Sequence, residues 1–241
     1  MNSSTTPLSP IIIALDVDTS AEAVDWVQRL GKQADIFKVG LQLFIKEGMS
    51  VVEAIIAQGK RVFVDLKLHD IPNTVHHATL NLMRPGVEFI TLHAGGGVDM
   101  MEAAVEAAAE NRAKSPTVTA KLLGVTVLTS LDEDDLREIG INHSVSGQVM
   151  NLARLAVEAG VDGLVTSPKE VRLLRQEHRE KVVLVTPGIR PAGGDTHDQK
   201  RVMTPAEAIL EGSNYLVMGR SLLDSPAPEK TLEEILASLR R

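Results

Sequence analysis

The chain has 241 residues, a formal net charge of −7, one Trp, one Tyr, four Phe and no Cys. The acidic balance, with no cluster of Lys and Arg to neutralise phosphates, argues against a nucleic-acid surface, and the missing cysteines exclude a disulfide framework and thiolate chemistry. Every long apolar run is broken by charge or Gly, so no membrane span is expected; the polar opening MNSSTTPLSP lacks the basic-then-apolar order of a signal peptide, and a soluble cytoplasmic protein is the expectation.

In chain order, short β-branched runs alternate with longer segments of helical spacing. Residues 1–10 read as a disordered or loosely held tail, and 11–241 as a single domain. Residues 11–17 (IIIALDV) form a strand ending in Asp16 and Asp18, and 20–30 continue as an amphipathic helix with Ala23, Val24, Val27 and Leu30 at helical intervals. A second strand, 36–40 (IFKVG), carries Lys38. One helical period then runs from 41 to 58, and Gly59 falls where a C-cap glycine belongs. The third strand, 62–66, is apolar except for Asp65, and Pro72 can occupy the first turn of the helix after it. Residues 89–94 (FITLHA) give a fourth strand, followed by an Ala-rich helix over about 98–111 and a connector at 113–119. The fifth strand spans 122–129, and a polar stretch over 130–146 contains a short acidic helix start. Helical spacing resumes at 148–159. Strand six covers 163–166, with a helix to about residue 178, and strand seven covers 182–186. A short helix at 205–210, strand eight at 215–218 and a helix at 232–239 close the chain.

Eight βα units whose strands read as continuous apolar runs predict parallel strands covered by helices, with a (β/α)8 TIM barrel as the best fit. An open doubly wound sheet shares the alternation, but no G-x-G-x-x-G follows the first strand.

Sites in such barrels lie at the C-terminal ends of the strands, and the polar residues collect there. Asp16 ends the first strand, Lys38 lies in the second, Asp65 and Lys67 end the third, His93 is near the end of the fourth, and Thr129 and Ser130 end the fifth. Asp65 and Lys67, two apart on a strand, face one side. A lysine within an apolar strand is costly unless hydrated or paired, so Lys38 needs a partner, with Asp16 and Asp65 the obvious ones. Beyond strands seven and eight, Arg190 and Gly219-Arg220 stand in glycine-bearing loops where barrels commonly hold phosphate. His76 and His77 diverge on a helix and cannot both face one ion, and no ligand spacing surrounds His93, so neither marks a metal site.

The segment DLKLHDIPNT, with Asp65, Lys67, Asp70, Ile71, Pro72, Asn73 and Thr74, resembles the signature of the orotidine 5′-phosphate decarboxylase family. Leu15-Asp16, Phe37-Lys38-Val39-Gly40, the GVTVLTS block ending in Thr129 and Ser130, Thr186-Pro187-Gly188-Ile189-Arg190-Pro191, Asp198-Gln199 and Met218-Gly219-Arg220 follow in the family's order, from residue 11 to about 223. The resemblance implies a barrel that converts orotidine 5′-phosphate to UMP and CO2, the last step of de novo pyrimidine synthesis, without metal or cofactor. It implies a catalytic set of Lys67, Asp65, Asp70 and Lys38, in which Lys67 protonates C6 and the carboxylates hold it charged and aimed. It also implies that Asp16 and Lys38 contact the ribose hydroxyls, Thr129 the pyrimidine edge, Ile71 and Thr74 the substrate, and Arg190, Gln199, Gly219 and Arg220 the phosphate, with the 190–199 loop held closed over it. Finally it implies a homodimer in which Asp70 and Thr74 reach into the neighbouring subunit's site.

Two other functions fit the residues. A related phosphosugar barrel enzyme would perform enediolate chemistry with a metal, although Lys38 stands where a carboxylate or histidine ligand would be wanted. A non-catalytic nucleotide-binding barrel would tolerate damage to the charge set, and that set is intact.

Overall fold

The computed structural model describes residues 9–190 and 202–239. Its strands are β1 (Ile11–Ala14), β2 (Ile36–Gly40), β3 (Arg61–Leu68), β4 (Val87–His93), β5 (Lys121–Val125), β6 (Gly163–Val165), β7 (Val183–Thr186) and β8 (Tyr215–Met218). They pair in parallel, each with the next, and β8 closes on β1 through Ile11 opposite Leu216. The expected (β/α)8 barrel is the observed fold. Its helices are α1 (Ser20–Leu30), α2 (Leu41–Glu47), α3 (Met49–Ala57), α4 (Pro72–Leu82), α5 (Val98–Lys114), α6 (Glu133–Glu138), α7 (Val145–Glu158), α8 (Val171–His178), α9 (Pro205–Leu210), α10 (Arg220–Leu223) and α11 (Pro228–Ser238).

Local chemistry explains the helix starts. Thr19 caps α1 by accepting the Glu22 N–H at 3.2 Å, and Asp132 with Asp135 forms a reciprocal capping box on α6. Thr204 and Glu207 do the same for α9, with Pro205 at the first helical position, where no N–H is needed.

Two apolar cores follow from strand alternation. Ile12, Ile36, Phe63, Phe89, Leu123 and Val185 fill the barrel interior, where Phe89 meets Phe63 edge-on at 5.7 Å and Tyr215 at 5.2 Å. A larger core, including Ile13, Leu30, Phe37, Ile55 and Leu164, joins the sheet to its helices. Removing a ring as buried as Phe89 would cost about 3–5 kcal/mol.

Some boundaries differ from the sequence expectation. The single helix expected over 41–58 is two, because Gly48 adopts φ 63° and ψ −151°, a conformation open to glycine and closed to helix. β1 stops at Ala14 and β5 at Val125, so Asp16, Thr129 and Ser130 lie in the loops beyond the strands. Short apolar runs continue into these loops, and hydrophobicity alone does not show where strand pairing ends. β3 runs further than expected, to Leu68, and does so irregularly.

Candidate active site

The C-terminal ends of the strands surround a cavity of about 270 Å³. Its charged lining comes from the loop after β1, from β2 and β3, from the end of the segment after β7 and from the start of α10: Asp16, Lys38, Asp65, Lys67, Arg190 and Arg220. Phe63, the top of the interior aromatic stack, also lines it, as do Val125, Val165 and Val217. The apolar part of the wall, beside the charges, strengthens the interactions between them.

The charges alternate in sign. Asp16 Oδ1 lies 3.7 Å from Lys38 Nζ, which lies 3.4 Å from Asp65 Oδ2, and Asp65 Oδ1 lies 3.0 Å from Lys67 Nζ. Lys38 therefore has the two partners expected of it. Its side chain is 12% exposed and that of Asp65 11%, so this is a desolvated arrangement in which each charge depends on the next. Burial opposes ionisation of Asp65, but Lys38 and Lys67, with hydrogen bonds from Lys67 and Thr91, outweigh it and hold the carboxyl below its ordinary value of 3.8.

The reason Lys67 faces Asp65 is not plain strand alternation. Val64 pairs with Ile90 and Leu68 with Leu92, so Asp65, Leu66 and Lys67 bulge opposite the single residue Thr91. Lys67 has φ 51°, in the left-handed region that residues with a side chain rarely occupy. Its N–H donates to Thr91 Oγ1 at 2.9 Å, and that hydroxyl donates to Asp65 Oδ1 at 2.9 Å.

Gly219 brings the loop after β8 against β1, since a Cβ there would stand 3.0 Å from Asp16 Oδ2 and 3.2 Å from Ala14 Cβ. Arg220 follows it, exposed, at the start of the four-residue α10. Arg190 is buried; its N–H bonds to Met203 O at 3.0 Å, and its guanidinium to Ile189 O at 2.9 Å. Thr129 also lines the cavity, next to exposed Ser130.

Not every expected residue converges there. Asp70, Ile71 and Thr74 are exposed at the start of α4; Asp70 accepts the Ile71 N–H at 2.7 Å and makes no ion pair with Lys67 within the chain. Gln199, most of the 190–199 loop and residues 1–8 of the expected tail lie outside the described residues.

Two threonines were invisible to the sequence reading, because a threonine in a strand is ordinary. One is Thr91. The other is Thr166, fully buried on the cavity wall with no hydrogen-bond partner for its hydroxyl among the described residues. His93 stacks loosely on His69 at 5.4 Å, and burial, then His69 and Lys67, push its pKa down. His76 bonds to Glu110 at 3.2 Å on the outer helices. Among the described residues no three His, Asp or Glu side chains are grouped to hold a metal, and no helix is long and apolar enough to cross a membrane.

Residues 9–235 match the family described as "Orotidine 5'-phosphate decarboxylase / HUMPS family". The chain is 47% identical over 230 residues to the orotidine 5′-phosphate decarboxylase of Moorella thermoacetica, covering 95% of this chain and 91% of that one. It is also 47% identical over 233 residues to that of Syntrophotalea carbinolica, with 95% and 96% covered. A crystal structure of orotidine 5′-phosphate decarboxylase from Lactobacillus acidophilus superposes with a TM-score of 0.84 at 35% identity, covering 97% of this chain and all of the other.

Proposed function

Because the chain belongs to the orotidine 5′-phosphate decarboxylase / HUMPS family, its reaction is the decarboxylation of orotidine 5′-phosphate in pyrimidine biosynthesis, and we propose that Lys67 carries the chemistry. The observation that supports this most is the sign of the cavity. In a protein of net charge −7, its lining holds four cations and two carboxylates, with Lys38 and Lys67 at one group and Arg190 and Arg220 on the loops after β7 and β8. A substrate bearing a phosphate and a carboxylate calls for such a surplus.

Loss of CO2 breaks the bond from C6 to the carboxylate carbon and leaves the electron pair in an in-plane orbital that the pyrimidine ring cannot delocalise. A localised carbanion has to be met by a localised cation. The Lys67 ammonium opposes the charge as it develops and then transfers a proton to C6, giving UMP and a neutral amine that solvent reprotonates. Asp65, 3.0 Å from Lys67 Nζ, fixes its direction, and Lys38 holds Asp65 from the other side while reaching, with Asp16, for the ribose hydroxyls. Thr129 meets the pyrimidine edge. Arg190, Gly219 and Arg220, with Gln199, take the phosphate, and its remote binding energy is used at C6.

The same proposal includes a cytoplasmic homodimer. Ile71 is 66% exposed, and exposed Asp70 makes no ion pair with its own Lys67, an arrangement suited to delivering Asp70, Ile71 and Thr74 to the site of a second copy.

The test is a spectrophotometric assay of orotidine 5′-phosphate loss in excess chelator, for the wild type beside Lys67→Ala. Turnover that survives chelation and disappears in the variant is the expected result. Activity recovered only with added metal, or a Lys67→Ala protein that turns over normally, would overturn the assignment.

A further inference from the structure

A bulge needs something to replace the ladder bonds that it breaks. Between the pairs Val64 with Ile90 and Leu68 with Leu92, β3 spends three residues where β4 spends one. Lys67 has no register partner on β4; its peptide N–H donates to the side chain of that one residue, Thr91, at 2.9 Å. The same hydroxyl donates its proton to Asp65 Oδ1 at 2.9 Å, the oxygen that also receives Lys67 Nζ at 3.0 Å. One buried oxygen thus joins both ends of the lysine: its backbone directly, and its ammonium through Asp65.

We propose that Thr91 is a positioning residue for the decarboxylation, holding Lys67 in its left-handed backbone conformation and Asp65 in the rotamer that aims the ammonium. The inference deepens the assignment of Lys67 and rests on it. Thr91 is fully buried and is not part of the cavity lining, so it acts through Lys67 and Asp65. A left-handed non-glycine residue is disfavoured by its Cβ and persists only where its surroundings over-determine it. The hydroxyl is what over-determines it here, because a residue with hydrogen-bonding capacity for one donor and one acceptor is matched to one N–H and one carboxylate oxygen. His93, two residues further along β4, packs on His69 at 5.4 Å and supplies neither bond.

The experiment compares Thr91→Val, Thr91→Ser and Lys67→Ala for kcat, KM, UMP binding and thermal unfolding. Valine keeps the shape of threonine and removes both bonds, while serine keeps the hydroxyl. The expected result is a fall in kcat of about 10- to 100-fold in Thr91→Val, since a displacement of about 1 Å costs that much. UMP affinity should stay within about threefold, and Thr91→Ser should recover most of the loss. A Thr91→Val enzyme with wild-type kcat, or one whose kcat is no better in the serine variant, would overturn the inference. So would a Thr91→Val loss that appears equally in UMP binding, since that marks a general collapse of the site. If Lys67→Ala keeps full activity, it is the underlying assignment that fails, and the two failures are separable.

Discussion

The two ends of the barrel are built from similar charged residues put to different uses. At the N-terminal end the charges close on the backbone around them. Asp162 Oδ2 accepts from Arg112 at 2.9 Å and from the Leu122 N–H at 2.8 Å, while the same guanidinium reaches Ala120 O at 2.7 Å. Arg175 bonds to Gly212 O at 2.7 Å, to Val182 O at 2.9 Å and to Asn214, whose oxygen also receives the Leu184 N–H. These groups tie strand starts to helix ends. At the C-terminal end Asp16, Lys38, Asp65 and Lys67 bond chiefly to one another across a cavity. Arg112, Asp162 and Arg175 are thus tied to backbone groups as well as to other side chains, whereas the charges around the cavity are held chiefly by one another and keep a side open.

That contrast is broken or sharpened first by its strongest case. Lys67→Ala should lower kcat by about 10³-fold or more, the scale of a lost proton donor and a lost countercharge together, with the cooperative unfolding transition retained; a folded variant of normal kcat would show that the open side of the cluster has no chemical use. Arg220→Ala comes next. Its loss should cost about 10²-fold in kcat/KM on the full nucleotide and almost nothing on a substrate lacking the phosphate. An equal loss on both substrates would place Arg220 away from the phosphate.

How much of this was legible in the sequence follows from the same distinction. The barrel was, because apolar strand periods repeat eight times, and so were the charged residues of the cavity: Lys38 and Asp65 because a charge inside an apolar run is out of place, Arg190 and Arg220 because glycine-bearing loops follow the last two strands. Thr91 was not: its function depends on which β3 residues it faces, and the register shift beside it leaves no mark in either strand. The split of the 41–58 helix at Gly48 was hidden for a related reason, since a glycine inside a helical period reads the same whether or not its φ is positive. Lys67 and Asp65 were correctly placed on one side, though by a bulge and a left-handed residue rather than by alternation.

The N-terminal end supplies the converse experiment. Arg112→Ala removes the guanidinium from Ala120 O and Asp162, and charged hydrogen bonds of this kind are worth about 2 kcal/mol together once exposure is allowed for. Urea unfolding should show that loss with kcat and KM unchanged. A change in kcat larger than the change in stability would blur the division between the two ends.

The smallest effect concerns pH. Asp65 is held below its ordinary pKa of 3.8 against its own burial by Lys38 and Lys67. A carboxyl whose pKa is lower folded than unfolded stabilises the protein above the unfolded value, because there the charged form is favoured by the fold; the contribution fades as pH falls through about 4 and is gone below the folded value. In Asp65→Asn no such titration remains. The stability difference between wild type and Asp65→Asn should therefore narrow as pH is lowered from about 5 to 3, measured by urea unfolding at each pH. A difference that stayed constant would mean that Asp65 gains nothing from its charge, and that the two lysines are held by shape alone.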